Sequence, residues 1–386
     1  MNDTAALPDR RLLILLPSAF LTSLGIGLIN LGMLFVLKES YGAEPVTVGW
    51  FAALYSLAYF VGCIAFRPLS RRVRAADSMA FMNVVSAAFL IGQLLVPSLF
   101  SAFLAYGLIG LATALFWPRL MGWLTSGIEG AALGRASGAF SVAWSVGASI
   151  APFLAGLLAE RGLFLPVYAA VAVFVGTGIF IYAARRAAPS PALAEAAGGA
   201  AGVDRSTPLR YPAWIGVFLI YTFVAVFLNI FPLYGRDALR LGESAIGFLL
   251  LVRAAALALG FWLVGRLSFW QFRPALIPLA LFCALMVDIA FLFIGSPLGF
   301  GLGLATAGLV QAALYGGSIF YGASGAPDRD RRVTIHESLL TAGQILGSIV
   351  GGLMYQLISW PSIFLGIGAL MALGLVAQAM LIRRGW

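Results

Sequence analysis

Apolar residues occur along this chain in long blocks that neither alternate with a period of two nor keep to one helical stripe. The blocks fall at about 12–36, 48–66, 76–96, 99–120, 138–158 and 163–183, and again at about 213–233, 245–265, 275–295, 298–321, 335–357 and 361–382. Each is close to the roughly 20 residues a helix needs to cross hydrocarbon. Unpaired backbone groups are too costly in lipid for any open structure, so each block is predicted to be a membrane-spanning helix. Between the two sets lies 185–211, with Ala187-Ala188-Pro189-Ser190-Pro191 and Gly198-Gly199-Ala200-Ala201-Gly202 and no apolar periodicity. Such a composition predicts a linker. The pattern therefore predicts an all-α membrane protein of twelve transmembrane helices. Its two six-helix bundles are residues 1–184 and 212–386, joined by 185–211.

The two sets read as diverged copies. Gly110-Leu111-Ala112-Thr113-Ala114 returns as Gly303-Leu304-Ala305-Thr306-Ala307. Gly49, Tyr55 and Gly62 are matched by Gly247, Arg253 and Gly260 at one constant offset, Gly156 and Pro166 by Gly351 and Pro361 at another, and Asn30 by Asn229. Two similar membrane halves with a site between them are the usual construction of a secondary transporter.

Composition removes the competing classes. With 61% hydrophobic and 10% charged residues in 386, the chain has too little polar surface for a soluble globule. The net charge of +9 is a topological signal and not a nucleic-acid surface: with the N-terminus inside, 19 of the 24 Lys and Arg fall in cytoplasmic segments. Only Lys38, Arg161, Arg236 and Arg240 fall outside, and Arg253 lies within a span. Both termini and the linker are expected on the cytoplasmic side of a bacterial inner membrane. Arg10 and Arg11 precede an apolar run too long for a cleavable signal core, which is read as the first span. Cys63 and Cys283 sit alone in separate spans and are expected to be buried, inert thiols.

Ionisable residues inside spans are costly and mark function or pairing. Arg253 lies about eight residues into the eighth span and Asp288 about seven from the end of the ninth. Both then lie roughly 10–12 Å below the same boundary. They are read either as an ion pair or with Arg253 as an anion contact or gating charge. Arg119, after Trp117-Pro118, is read as snorkelling to headgroups or turned by a bend into a vestibule. His336-Glu337, beside Asp328 to Arg332, reads as part of a solvated loop or latch.

These features together resemble the major facilitator superfamily, over nearly the whole chain. After the second span, Gly62-Cys63-Ile64-Ala65-Phe66-Arg67-Pro68-Leu69-Ser70-Arg71-Arg72 keeps the family's glycine and its arginines, with Phe66 at the aspartate position. In the fifth span, Gly147-Ala148-Ser149-Ile150-Ala151-Pro152-Phe153-Leu154-Ala155-Gly156 looks like the signature of family exporters. In the fourth, Tyr106 stands where the family's arginine precedes Gly110. The resemblance implies that Arg67, Arg71, Gly147, Pro152 and Gly156 serve conformational change. It nominates Asn30, Tyr55, Trp144, Asn229, Gln311, Tyr315 and Gln344, with Arg253, as substrate-binding residues. It also implies a monomer moving a small amphipathic or anionic organic molecule across the membrane by alternating access, with export as its direction, and no cofactor or metal. A sensor or membrane enzyme on the same scaffold is the alternative, but the sequence offers no P-loop, zinc-type His/Glu cluster or paired carboxylates to support chemistry.

Overall fold

The computed structural model describes residues 10–66, 73–125, 130–186, 205–326 and 329–384, and among them every regular element is a helix. Arg67 and Arg71, and most of the 185–211 linker, lie outside the described residues. The helices are α1 (Leu12–Tyr41), α2 (Pro45–Ala65), α3 (Ala75–Leu95), α4 (Leu99–Thr113), α5 (Trp117–Thr125), α6 (Gly130–Arg161) and α7 (Leu165–Ala184). There follow α8 (Arg210–Asn229), α9 (Phe231–Asp237), α10 (Glu243–Arg266), α11 (Leu276–Ala290), α12 (Pro297–Ala323), α13 (Arg329–Leu357) and α14 (Trp360–Arg383). Among the described residues, eleven helical segments are long and apolar enough to cross a membrane, and α11 is a shorter apolar one.

Twelve segments give fourteen helices because the fourth and seventh are interrupted, each just before a proline. Pro118 has no N–H to offer the preceding turn, and Leu115 and Phe116 instead bond three residues back, to the carbonyls of Ala112 (2.8 Å) and Thr113 (3.0 Å). In the seventh segment Pro232 has the same effect: Leu233 N–H bonds Ile230 O at 3.0 Å, and α9 starts anew at Phe231.

By contact, the chain forms two compact units: residues 1–33 with 58–197, and residues 34–57 with 198–386. The compact units and the sequence halves are thus not coextensive. In the first unit, Leu15, Met79, Phe116, Trp123 and Ile181 form the buried core. Gly147 brings α6 onto α1, where an added Cβ would stand 3.2 Å from Ser23 Cβ and closer still to the Phe20 carbonyl oxygen. Gly156 is buried on the same helix, which continues through Pro152.

The second unit is held by aromatic packing. Phe227 and Phe291 lie 4.5 Å apart, Phe291 stacks on Phe364 at 5.5 Å, and Tyr234 on Trp360 at 4.3 Å. In lipid the cohesion of such a cluster comes from dispersion and close fit, since the acyl chains are equally apolar. Gly343, Gly347 and Gly351 of α13 meet Phe218, Thr222 and Val226 of α8. Both series advance by four residues, so the two helices run in the same direction, joined along one glycine stripe. Residues 34–57 belong here because Gly49 and Gly352 let α2 and α13 touch backbone to backbone: a Cβ at Gly352 would lie 3.1 Å from the Pro45 carbonyl carbon.

Candidate functional site

A continuous run of polar side chains crosses the largely apolar interior of the second unit. Its placement begins with a glycine. Gly308 of α12 lies against the Arg253 carbonyl of α10, and an added Cβ would be 2.9 Å from Leu257 N. That approach carries Gln311, three residues on and on the same face, to the guanidinium: Arg253 Nη1 donates to Gln311 Oε1 at 2.6 Å. The Tyr221 side chain of α8 lies beside Gln311. Tyr315, one turn beyond Gln311, has its ring 6.1 Å from that of Tyr221 and 4.8 Å from His336 of α13. His336 Nδ1 lies 2.8 Å from Ser318 Oγ. Four helices of one unit thus supply Arg253, Gln311, Tyr221, Tyr315, His336 and Ser318 in sequence.

Arg253 is 7% exposed, and among the described residues no carboxylate lies within ion-pair distance of it. Its Nε has no hydrogen-bond partner. The expected pair with Asp288 does not form. Asp288 is fully buried on α11, turned toward α14, where a Cβ on Gly368 would stand 2.8 Å from Oδ2, and neither carboxylate oxygen has a hydrogen-bond partner. Similar depth put both residues at one level, but their faces turn to different neighbours.

The other nominated residues divide by unit. In the first, Tyr106 donates its hydroxyl to Asn30 Oδ1 at 2.7 Å, and Trp144 is half-buried on α6. In the second, Asn229 Nδ2 donates to Ser348 Oγ (2.8 Å), which donates to the Gln344 carbonyl (2.7 Å). Tyr55 is half-buried on α2. Only Arg253, Gln311 and Tyr315 of the nominated set therefore share the polar run. Tyr221, Ser318 and His336 were missed. Spacing carries a signal for two of them: Tyr221 lies eight residues before Asn229, and His336 eight before Gln344, each on one helix face.

Three further expectations are corrected. His336 is 1% exposed inside α13 and not in a solvated loop, because the helix starts about two turns earlier, at Arg329. Cys283 is exposed, since its face of α11 turns away from the bundle. Arg119, by contrast with the snorkelling reading, is 2% exposed.

A second charged cluster lies where residues 34–57 meet α9 and α10. Lys38 pairs with Asp237 at 2.7 Å, and Arg236 with both Glu39 and Glu243 at 3.2 Å. Here Lys38 and Arg236 each have a carboxylate partner. No group of three or more His, Cys, Asp or Glu suited to a metal occurs among the described residues.

The sequence profile described as Major Facilitator Superfamily matches residues 15–331. The chain belongs to the major facilitator superfamily. It is accordingly a membrane transporter and not an enzyme, with a small-molecule substrate. Solved structures agree in fold. A POT family transporter in complex with 5-aminolevulinic acid superposes with a TM-score of 0.82 at 12% identity, covering 98% of this chain and 97% of its own. The nucleoside transporter NupG gives 0.74 at 13% identity, with 96% and 99% covered. A bacterial homolog to the human lysosomal transporter Spinster, in an inward-facing and occupied conformation, gives 0.71 at 15%, with 98% and 96% covered. At these identities the likeness concerns the fold. No curated protein is similar enough in sequence to count as a match.

Proposed function

We propose that this superfamily member moves a small amphipathic organic anion by alternating access, with Arg253 as its anion contact and Gln311, Tyr221 and Tyr315 beside it. The observation that carries the reading is a buried guanidinium with no carboxylate within ion-pair distance among the described residues. A cation out of water costs several kcal/mol unless a counter-charge meets it, by general estimates on the order of the stabilisation a well-formed ion pair returns. A substrate carboxylate or sulfonate would supply that charge, and the guanidinium fork offers it paired N–H donors. Tyr221 and Tyr315 add ring faces for an apolar body. The solved structures of like fold include a nucleoside transporter and a transporter in complex with 5-aminolevulinic acid, so substrate choice rests on side chains and not on the fold.

Export is the proposed direction, from the Gly147–Gly156 stretch that resembles the exporter signature. The proposed setting is a bacterial inner membrane with both termini cytoplasmic, from the basic-residue asymmetry. A direct test uses purified protein in proteoliposomes with Lucifer yellow, a sulfonated dye, and ethidium, a cation of similar size. Saturable flux of Lucifer yellow that Arg253→Gln abolishes is expected. Flux of ethidium instead, or Lucifer yellow flux indifferent to Arg253→Gln, would reverse the charge assignment.

A further inference from the structure

The chain contains one histidine, and it is buried at the end of the polar run opposite Arg253. A neutral imidazole has one donor and one acceptor, and burying either unpaired is costly. Nδ1 has Ser318 at 2.8 Å. Nε2 has no hydrogen-bond partner and stands 3.9 Å from Glu337 Oε1, too far for a hydrogen bond and within reach of an ion pair. Glu337 itself is half exposed, so it connects the buried ring to the unit's surface. The groups facing the ring are Ser318 and Tyr315 from α12, with Tyr221 of α8 behind Tyr315 and Glu337 on its own helix. Arg332 lies one turn earlier on α13, and Arg253 of α10 is reached only through Gln311 and Tyr221.

From this geometry we propose that His336 and Glu337 form a binding site for one proton, and that substrate movement is linked to its occupation. The proposal rests on the anion reading of Arg253 for its substrate and on separate atoms for its proton. With Nδ1–H donating to Ser318 Oγ, the Nε2 lone pair faces the Glu337 carboxylate. A proton from water joins Nε2, the ring becomes an imidazolium, and the pair changes from one negative charge to neutral; release reverses the step. The serine hydroxyl can either donate or accept, so it supports the ring in both states. Tyr315 touches His336 and sits one turn from Gln311, so proton and anion sites share one helix, α12. An added anion at one end and an added proton at the other offset each other in charge within a single bundle.

The solitary histidine makes the test clean. In full-length protein labelled with ¹⁵N-histidine and held in lipid nanodiscs, one imidazole signal is expected. It should switch from the neutral to the protonated form as the pH is lowered. The pH of that switch is expected to move in Glu337→Gln, whose carboxylate is removed from an exposed position. A folded protein whose imidazole never switches, or switches at the same pH in Glu337→Gln, overturns the proton site. In proteoliposomes, an imposed pH gradient should change the Lucifer yellow rate severalfold in the unaltered protein. Both His336→Gln and Glu337→Gln should lose that response, and Glu337→Gln, altered at a half-exposed position outside the polar run, should keep equilibrium exchange of the dye. Undiminished gradient response in both variants overturns the linkage. Failure of the unaltered protein to carry the dye at all counts against the anion reading, and the imidazole titration still decides the proton site.

Discussion

Replacing Arg253 should separate binding from folding, because the two respond with opposite sign. The guanidinium is buried with one charge-assisted hydrogen bond, to Gln311. That bond contributes about 1.5–3 kcal/mol, against an effective desolvation cost of several kcal/mol for the ion. Exchanging buried charged groups for apolar ones of similar size often stabilises by about 1–4 kcal/mol. The double variant Arg253→Met/Gln311→Leu is therefore expected to unfold at a higher temperature in the absence of substrate, by roughly 2–4 °C per kcal/mol for a unit of this size. Arg253→Met alone leaves the buried Gln311 oxygen without its donor, which costs about 1–3 kcal/mol, and should stay near the parent. Binding moves the other way. Loss of two charge-assisted bonds to an anion, about 3–6 kcal/mol together, weakens Lucifer yellow binding at least about a hundredfold at 1.4 kcal/mol per decade. Arg253→Lys, which keeps the charge without the planar fork, should fall between. The assay is thermal unfolding in detergent beside equilibrium dye binding on the same preparations. A double variant that melts well below the parent would show Arg253 to be a structural prop, and retained binding in Arg253→Met would remove it from the site.

Other consequences are simpler to read. Gly347→Ala places a methyl group 2.8 Å from the Thr222 carbonyl carbon and 2.9 Å from Ala225 Cβ, and such overpacking should cost about 1–3 kcal/mol, seen as a lower unfolding temperature. Gly156→Leu is expected to leave a folded, inserted protein with impaired flux; unchanged flux at normal expression would reduce the glycines of α6 to ordinary packing. In a cysteine-free background, Ser206→Cys should resist an impermeant thiol reagent in intact cells while Gly295→Cys reacts. The reverse pattern would invert the proposed topology.

Much of the architecture was legible in the residues because lipid leaves a chain few choices. A block of about 20 apolar residues can satisfy its backbone there only as a helix, so the segments could be read with no knowledge of their neighbours. Pro118 and Pro232 likewise act on their own backbone, through the N–H they lack, which makes a break near each a local property. The glycines at 343, 347 and 351 recur every four residues, a spacing that suits close approach of a neighbouring helix. The partner did not appear in the spacing. Which face of a helix meets which neighbour is set by rotation and depth, and these depend on every contact in the bundle at once. Arg253 meets Gln311 because Gly308 lets α12 reach the Arg253 carbonyl, while Asp288, at a similar depth, turns toward Gly368. His336 looked solvated beside a charged stretch, and only the packing of α13 against α12 buries it on Ser318 and Tyr315. The residues by themselves determined helices, repeat and solvent. The tertiary structure decided which of the few polar side chains meet, because in a helical membrane protein nearly every such meeting joins positions distant along the chain.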